Sequence, residues 1–344
     1  MNISDQQLQQ IVRQVVADLD HRQSAAPPKA GVRSASPAPA SVTGGQDGVF
    51  ERVEDAVNAA HAAQQVWVTR KVEERQRVIE AIRRCARMHV EEWSRKIVEE
   101  TGMGRYEDKV EKHLAIINKT PGAECLTTDA ISGDTGLMLE EYGPYGVICA
   151  ITPTTNPTET IINNTISMIA GGNTVVFNVH PRAKRVSAEC LQALHRAMVE
   201  AGAPPNLITM TREPTMDAVH QLSENPKVRL MVGTGGMGMV NALLRSGKKC
   251  VGAGAGNPPV IVDETADVEL AARKIYEGAS FDNNILCFAE KEVFAVQDVY
   301  DGLLFSLRKQ GAQLITPEQT RRLTEIVLKA QPGGGYEVNK DWVG

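Results

Sequence analysis

VICAITPTTNPTETIINNTISMIAGGNTVVFN, residues 147–178, decides the fold. An apolar run of five (Val147–Ile151) leads into a polar loop with two prolines. A stretch of helical periodicity over 158–170 follows, then a Gly171-Gly172 stop and a second apolar run, Thr174–Asn178. Short runs without polar alternation suit strands covered on both faces. Strand, helix, strand at this spacing is a β-α-β unit, which predicts a parallel sheet. The pattern continues outward, with strands at 207–210 and 228–232 and helices at 183–201 and 216–222. A second block begins near Gly252, with strands at 259–262 and 291–296 and helices at 267–278, 298–309 and 317–330. Upstream, helices are predicted over 53–67, 72–100 and 107–119, and a strand over 135–142. The expected class is α/β, with a parallel Rossmann-type sheet domain over 49–251 and an α/β domain over 252–344.

The N-terminal 48 residues read differently. Ile3, Leu8, Ile11, Val12, Val15, Val16 and Leu19 fall on one helical stripe, with Ser4 or Asp5 able to cap it. Residues 21–48 are rich in Ala, Pro, Ser and Gly and too poor in large apolar side chains to order themselves. A helix of about 20 residues on a tether is marginal alone. Its stripe needs a cover, either the parent domain or a separate partner. Asp5, Asp18 and Asp20 make it poor chemistry for an anionic membrane.

Composition narrows the function. The 344 residues carry 37 Lys and Arg against 42 Asp and Glu, a net charge of -5, which disfavours nucleic acid as a partner. No apolar run is long enough to suggest a membrane span. The six cysteines are scattered and form no Cys-x-x-Cys pair, so free thiols in a reducing compartment are expected and no metal site is.

Several stretches could carry chemistry. Gly233, Gly235 and Gly238 match Gly-x-Gly-x-x-Gly after a strand, where backbone can approach a pyrophosphate or a helix can simply pack close. Asp263 is a doubtful partner for a ribose. GAGAGNPP, 252–259, can face a ligand or cross between domains. Cys287 follows Asn283 and Asn284 and is either a nucleophile or an inert core thiol. The loop 151–157 can donate to an oxyanion or cap a helix, and His180-Pro181 sits where a sheet edge meets a crevice or is a solvated turn.

The succession TPTTNP, GGNTVVFNVHP, VGTGG, GAGAGNPP and SFDNNILC resembles the aldehyde dehydrogenase superfamily. It is most similar to the coenzyme A-acylating propionaldehyde and acetaldehyde dehydrogenases of bacterial microcompartments. The resemblance runs from Val49 to Gly344 and implies Cys287 as nucleophile, with Asn156 or the Cys287 N–H as oxyanion donor. It implies a surface for NAD and coenzyme A made by Thr152, Pro153, Thr154, Thr155, Asn178, His180, Pro181, Thr234, Gly235, Gly236, Gly252, Ala253 and Gly254. Hydrolytic members have a glutamate base where this chain has Gly252, and a ribose-gripping lysine where it has Asn178. Without the base, a thioester on Cys287 would pass to coenzyme A rather than water.

Residues 1–20 resemble the encapsulation peptides that bind a shell protein, which implies a cytoplasmic enzyme inside a microcompartment and a homo-oligomer when full length. Members of the family run well past Gly344, so the catalytic domain is expected to be incomplete, with apolar surface uncovered after Gly252. Two other readings remain: a semialdehyde dehydrogenase using phosphate or water, and an inactive fragment that keeps only the targeting helix.

Overall fold

The computed structural model describes residues 45–344; the N-terminal amphipathic stripe and most of the tether lie outside the described residues. Six parallel strands form the main sheet: β1 (Val49–Phe50), β4 (Val147–Ile151), β5 (Thr174–Asn178), β6 (Ile208–Thr211), β7 (Val228–Thr234) and β8 (Cys250–Ala253), in the order β1-β6-β5-β4-β7-β8. Two further strands, β2 (Asp129–Gly133) and β3 (Gly136–Glu140), form a separate antiparallel hairpin. The order reverses between β4 and β7, so the chain leaves β4 toward one edge and later returns to its other side. That is the topological switch point of an open α/β sheet, where the loops beyond the strand ends diverge and leave a crevice.

Alternation within the strands sets the two faces. Val175 and Phe177 of β5 join one apolar cluster, and Val176 between them joins the other. The first cluster packs α2 (Val72–Thr101), α4 (Pro157–Ala170) and α5 (Lys184–Glu200) on the sheet through Ile79, Ile82, Trp93, Ile161, Ile162 and Leu194. The second packs α1 (Val53–Trp67) and α6 (Met216–Glu224) through Val57, Ala60, Cys149, Leu222 and Met231. Trp67 is buried, and its indole N–H donates to the Ile169 carbonyl at 2.9 Å. Burial on both faces explains the unbroken apolar runs.

Chain ends of the helices follow local chemistry. Glu74 accepts from the Lys71 backbone N–H at the start of α2, and Gly102 (φ +67°) closes it. Pro157 occupies the first turn of α4. Thr215 caps α6, accepting from Ala218 N–H at 3.0 Å.

The second block holds β9 (Pro259–Val262) and β10 (Glu292–Ala295), paired in parallel, with α8 (Val268–Ser280) and α9 (Gln297–Lys309) closing a small core of Val262, Ala272, Ile275 and Leu303. Ile261 and Phe294 on these strands are exposed, as are Phe305, Tyr336 and Trp342.

Four local expectations are corrected. The single strand expected over 135–142 is the second arm of the exposed hairpin described above, whose first arm is too polar in sequence to announce itself. The helix expected over 317–330 is α10 (Pro317–Val327); Leu328–Ala330 instead pairs as β11 with β12 (Tyr336–Val338) across the Gly333–335 turn. Gly252 and Ala253, read as a glycine-rich turn, are ladder residues of β8, paired with Gly233 and Thr234. Gly45–Gly48, read as the end of the tether, form a turn in which Gln46 and Val49 exchange backbone hydrogen bonds at 3.0 and 3.1 Å. Among the described residues no helix is long and apolar enough to cross a membrane, and no group of three His, Cys, Asp or Glu is placed to hold a metal.

Candidate active site at the sheet switch point

The C-terminal ends of β4, β5 and β7 gather most of the residues singled out in the sequence. Loop 152–156 leaves β4, Asn178 ends β5, and Thr234 ends β7. Thr152 N–H donates to the Asn178 carbonyl at 3.2 Å, and Thr234 Oγ1 lies 3.4 Å from the Ile151 carbonyl. Gly235 N–H donates to Ala253 O at 3.1 Å, which joins β8 to the same edge. Gly236 precedes α7 (Met237–Leu244), and a Cβ on Gly254 would strike Met237 Sδ. Pro153, Thr154 and Thr155 are half-buried along the rim.

Three buried oxygens on this edge, Thr152 Oγ1, Thr154 Oγ1 and Asn178 Oδ1, have no hydrogen-bond partner in the protein. Buried polar atoms are rarely left so, and a ligand that meets them recovers the desolvation cost. Two hydroxyls that can donate to phosphate and an amide oxygen that can accept from a ribose fit a dinucleotide. His180 caps the Pro181–Ala183 turn, its Nδ1 accepting from Arg182 N–H at 3.2 Å; burial, with Arg182 beside it, lowers its pKa. Asp263 is outside this group, since its carboxylate accepts from Thr265 N–H and Oγ1 in its own turn.

Cys287 is exposed rather than packed in a core. Its segment follows α8 through a 3-10 turn, Phe281–Asn284, in which Asp282, Asn283 and Asn284 all take left-handed backbone (φ +49°, +53° and +58°). The glycine-rich stretch lies against it: a Cβ on Gly256 would collide with the Cys287 carbonyl oxygen. So Gly256 and Cys287, 31 residues apart in sequence, lie against each other.

A buried charge cluster, which the sequence reading missed, ties this turn to the β4 loop. Helix α3 (Tyr106–Lys119) presents Lys109, Lys112 and His113 on one face. Lys109 Nζ donates to Asp282 Oδ2 at 3.0 Å and to the Thr155 carbonyl at 2.7 Å. Lys112 Nζ donates to Asp282 and to Asn156 Oδ1, and lies 3.4 Å from Glu159 Oε1. His113 Nδ1 lies 2.8 Å from the Lys109 carbonyl and Nε2 lies 2.7 Å from Thr158 Oγ1. Lys109 and Asp282 are 0% exposed and Glu159 3%. Two ammonium groups face two carboxylates, so the buried charge balances.

Burial alone would raise both carboxyls, but Lys112 outweighs it and holds Asp282 and Glu159 below their ordinary values. Burial lowers Lys109 to about 8 and lowers His113, which stays neutral at pH 7. The signal available in the sequence was the i, i+3, i+4 spacing of Lys109, Lys112 and His113 on the helix expected over 107–119.

The fold and site together are those of an open parallel α/β sheet with an orphaned polar edge at its switch point and an exposed cysteine tied to that edge through a buried charge cluster. The aldehyde dehydrogenase family profile matches residues 26–326, and the chain belongs to that family. It is 46% identical over 305 residues to the acetaldehyde dehydrogenase (acetylating) of Bilophila wadsworthia, covering 87% of this chain and 63% of that one. It is 42% identical to the propanal dehydrogenase (CoA-propanoylating) of Salmonella typhimurium, covering 86% of this chain and 63% of that one.

Among solved structures, a propionaldehyde dehydrogenase from the Clostridium phytofermentans fucose utilisation bacterial microcompartment superposes with a TM-score of 0.80 at 48% identity, covering 86% of this chain and 67% of that one. A Rhodopseudomonas palustris propionaldehyde dehydrogenase with bound CoA and an acylated cysteine gives 0.79 at 48% identity, covering 85% and 66%. The chain spans 63% of the length of both curated relatives.

Proposed function

We propose that the protein oxidises a short-chain aldehyde, of two or three carbons, to its acyl-CoA. The observation that carries this is the contact of Gly256, at the end of the carboxylate-free stretch 252–256, with the segment of the exposed Cys287. The Cys287 thiolate adds to the aldehyde carbon, and the oxygen that gains charge is met by the Asn156 amide or the Cys287 N–H. NAD bound along Thr152–Asn156, Asn178–Pro181 and Thr234–Gly236 supplies the hydride acceptor. What remains on Cys287 is a thioester. Water attack on it is slow without a general base, and a thiol nucleophile is intrinsically stronger, so coenzyme A takes the acyl group and Cys287 is restored. Aldehyde, NAD and coenzyme A are consumed, and acyl-CoA, NADH and a proton are released.

The relatives support this reading, since they are acetylating and CoA-propanoylating dehydrogenases, some from microcompartments. By the same likeness, residues 1–20 would dock on a shell protein and place a homo-oligomeric enzyme inside a cytoplasmic microcompartment. The test is NADH formation from propionaldehyde with coenzyme A, phosphate or water as acceptor. NADH is expected only with coenzyme A, and Cys287→Ser is expected to abolish it. Full-rate NADH formation with water alone would overturn the proposal.

A further inference from the structure

The cluster beneath the β4 loop takes no part in the chemistry just described, yet one of its members touches both halves of the site. Lys112 is 7% exposed, and its ammonium faces Asn156 Oδ1, Asp282 Oδ2 and Glu159 Oε1. An ammonium carries three hydrogens and no lone pair, so it can only donate. The Asn156 side chain must therefore turn its oxygen inward to Lys112, which throws its nitrogen to the opposite side. There Nδ2 gives one hydrogen to Thr155 Oγ1 at 3.2 Å and keeps a second for a ligand. The same ammonium grips Asp282, five residues before Cys287 on the rigid left-handed turn.

Lys109 repeats the link from the next helical turn, joining the Thr155 carbonyl to Asp282. A surface lysine could not hold such a geometry, because water would compete for each hydrogen; here Lys109, Asp282 and Glu159 are sealed from solvent and the charges balance.

We propose that Lys112 is a positioning residue that fixes the Asn156 amide with its N–H toward the reacting oxygen, and fixes it relative to the turn bearing Cys287. The inference rests on the reading of Cys287 and Asn156 given above. It does not depend on which acceptor finally takes the acyl group.

The test uses acylation of Cys287 by p-nitrophenyl propionate, followed as a burst of p-nitrophenolate, which needs neither dinucleotide nor coenzyme A. Asn156→Ala is expected to slow the burst by roughly 10²-fold, the usual loss for one oxyanion donor. Lys112→Met is expected to slow it comparably, with the concentration of ester giving half-maximal rate unchanged within about twofold. In the double variant the losses should not multiply, because Lys112 acts through Asn156. Lys112→Arg, which keeps the charge, should recover part of the rate.

A wild-type burst rate in Lys112→Met, or losses that multiply, would overturn the inference. Should Lys112→Met lack a cooperative melt, the same cycle is run with Lys112→Arg and judged by whether its loss multiplies with that of Asn156→Ala. A wild-type protein without any burst would overturn the Cys287 reading and this inference with it; a normal burst with multiplying losses would overturn the role of Lys112 alone.

Discussion

Gly252 sits directly under Val240: a Cβ added to its backbone would lie 2.8 Å from the Val240 Cγ1 methyl. A β-branched side chain on a packed helix has little room to turn aside. Gly252→Ala should therefore cost about 1–3 kcal/mol in urea unfolding, and Val240→Ala should relieve most of it in the double variant. If Gly252 stands where the family resemblance puts a glutamate base, as proposed, that place is closed by packing as well as by residue type. Gly252→Glu alone should fail to gain hydrolysis, while Gly252→Glu with Val240→Ala should form some NADH from propionaldehyde without coenzyme A.

Gly256 and Cys287 make a similar pair, with the glycine backbone pressed on the Cys287 carbonyl. Gly256→Ala must push the thiol-bearing segment outward. Because that segment is exposed, the melting temperature should move by only a few degrees. The rate of Cys287 acylation should drop by 10-fold or more, in keeping with the sensitivity of catalysis to misplacements of about 1 Å.

Gly104 carries φ +78°, and a Cβ there would meet the Asp282 carboxylate and the Lys109 side chain. Gly104→Ala combines backbone strain with a blow to the buried cluster. A loss of about 2–4 kcal/mol is expected by denaturant titration, larger than at Gly102 (φ +67°), where the added methyl meets nothing within 4 Å.

Acid should loosen the link between the two blocks. Folding depresses the carboxyls of Asp282 and Glu159 below their ordinary values near ~4, because Lys112 and Lys109 outweigh burial. The unfolded chain then takes up protons first as the pH falls, so this stability is present above about pH 4 and is lost below it. His113, held neutral by burial, acts in the same direction below its ordinary value. Asp282→Asn should cost about 3–5 kcal/mol at pH 7, where it strands buried ammonium charge, and the gap from wild type should narrow at pH 3. Unfolding curves at the two pH values check this.

Trp67 reaches across the core to the Ile169 carbonyl. Trp67→Phe keeps most of the ring but leaves that buried acceptor without its donor, and should cost about 1–3 kcal/mol without altering the acylation rate.

The parallel sheet was legible because each strand is a short, unbroken apolar run between helical stretches; Ile151 and Asn178 marked the ends of two of them, while the run read over 228–232 continues to Thr234 in the structure. Loop 152–156 and the 234–236 turn could be placed at one edge from the β-α-β pattern alone. What brings Cys287 to that edge was not legible. Lys109 and Lys112 look like ordinary surface charges until α3 is packed against α4, and Asp282 lies 170 residues beyond Lys112 in the chain. Gly252 shows the reverse case: the sequence displayed its missing side chain, but only the neighbouring Val240 reveals that one would not fit.

Asp282, Asn283 and Asn284 trace a short piece of mirror-image helix, a handedness that costs most L-residues roughly 1–2 kcal/mol each and that Asn, Asp and Gly tolerate. The letters just ahead of Cys287 are thus spelled by stereochemistry. Drift at those three places is confined to a very small alphabet.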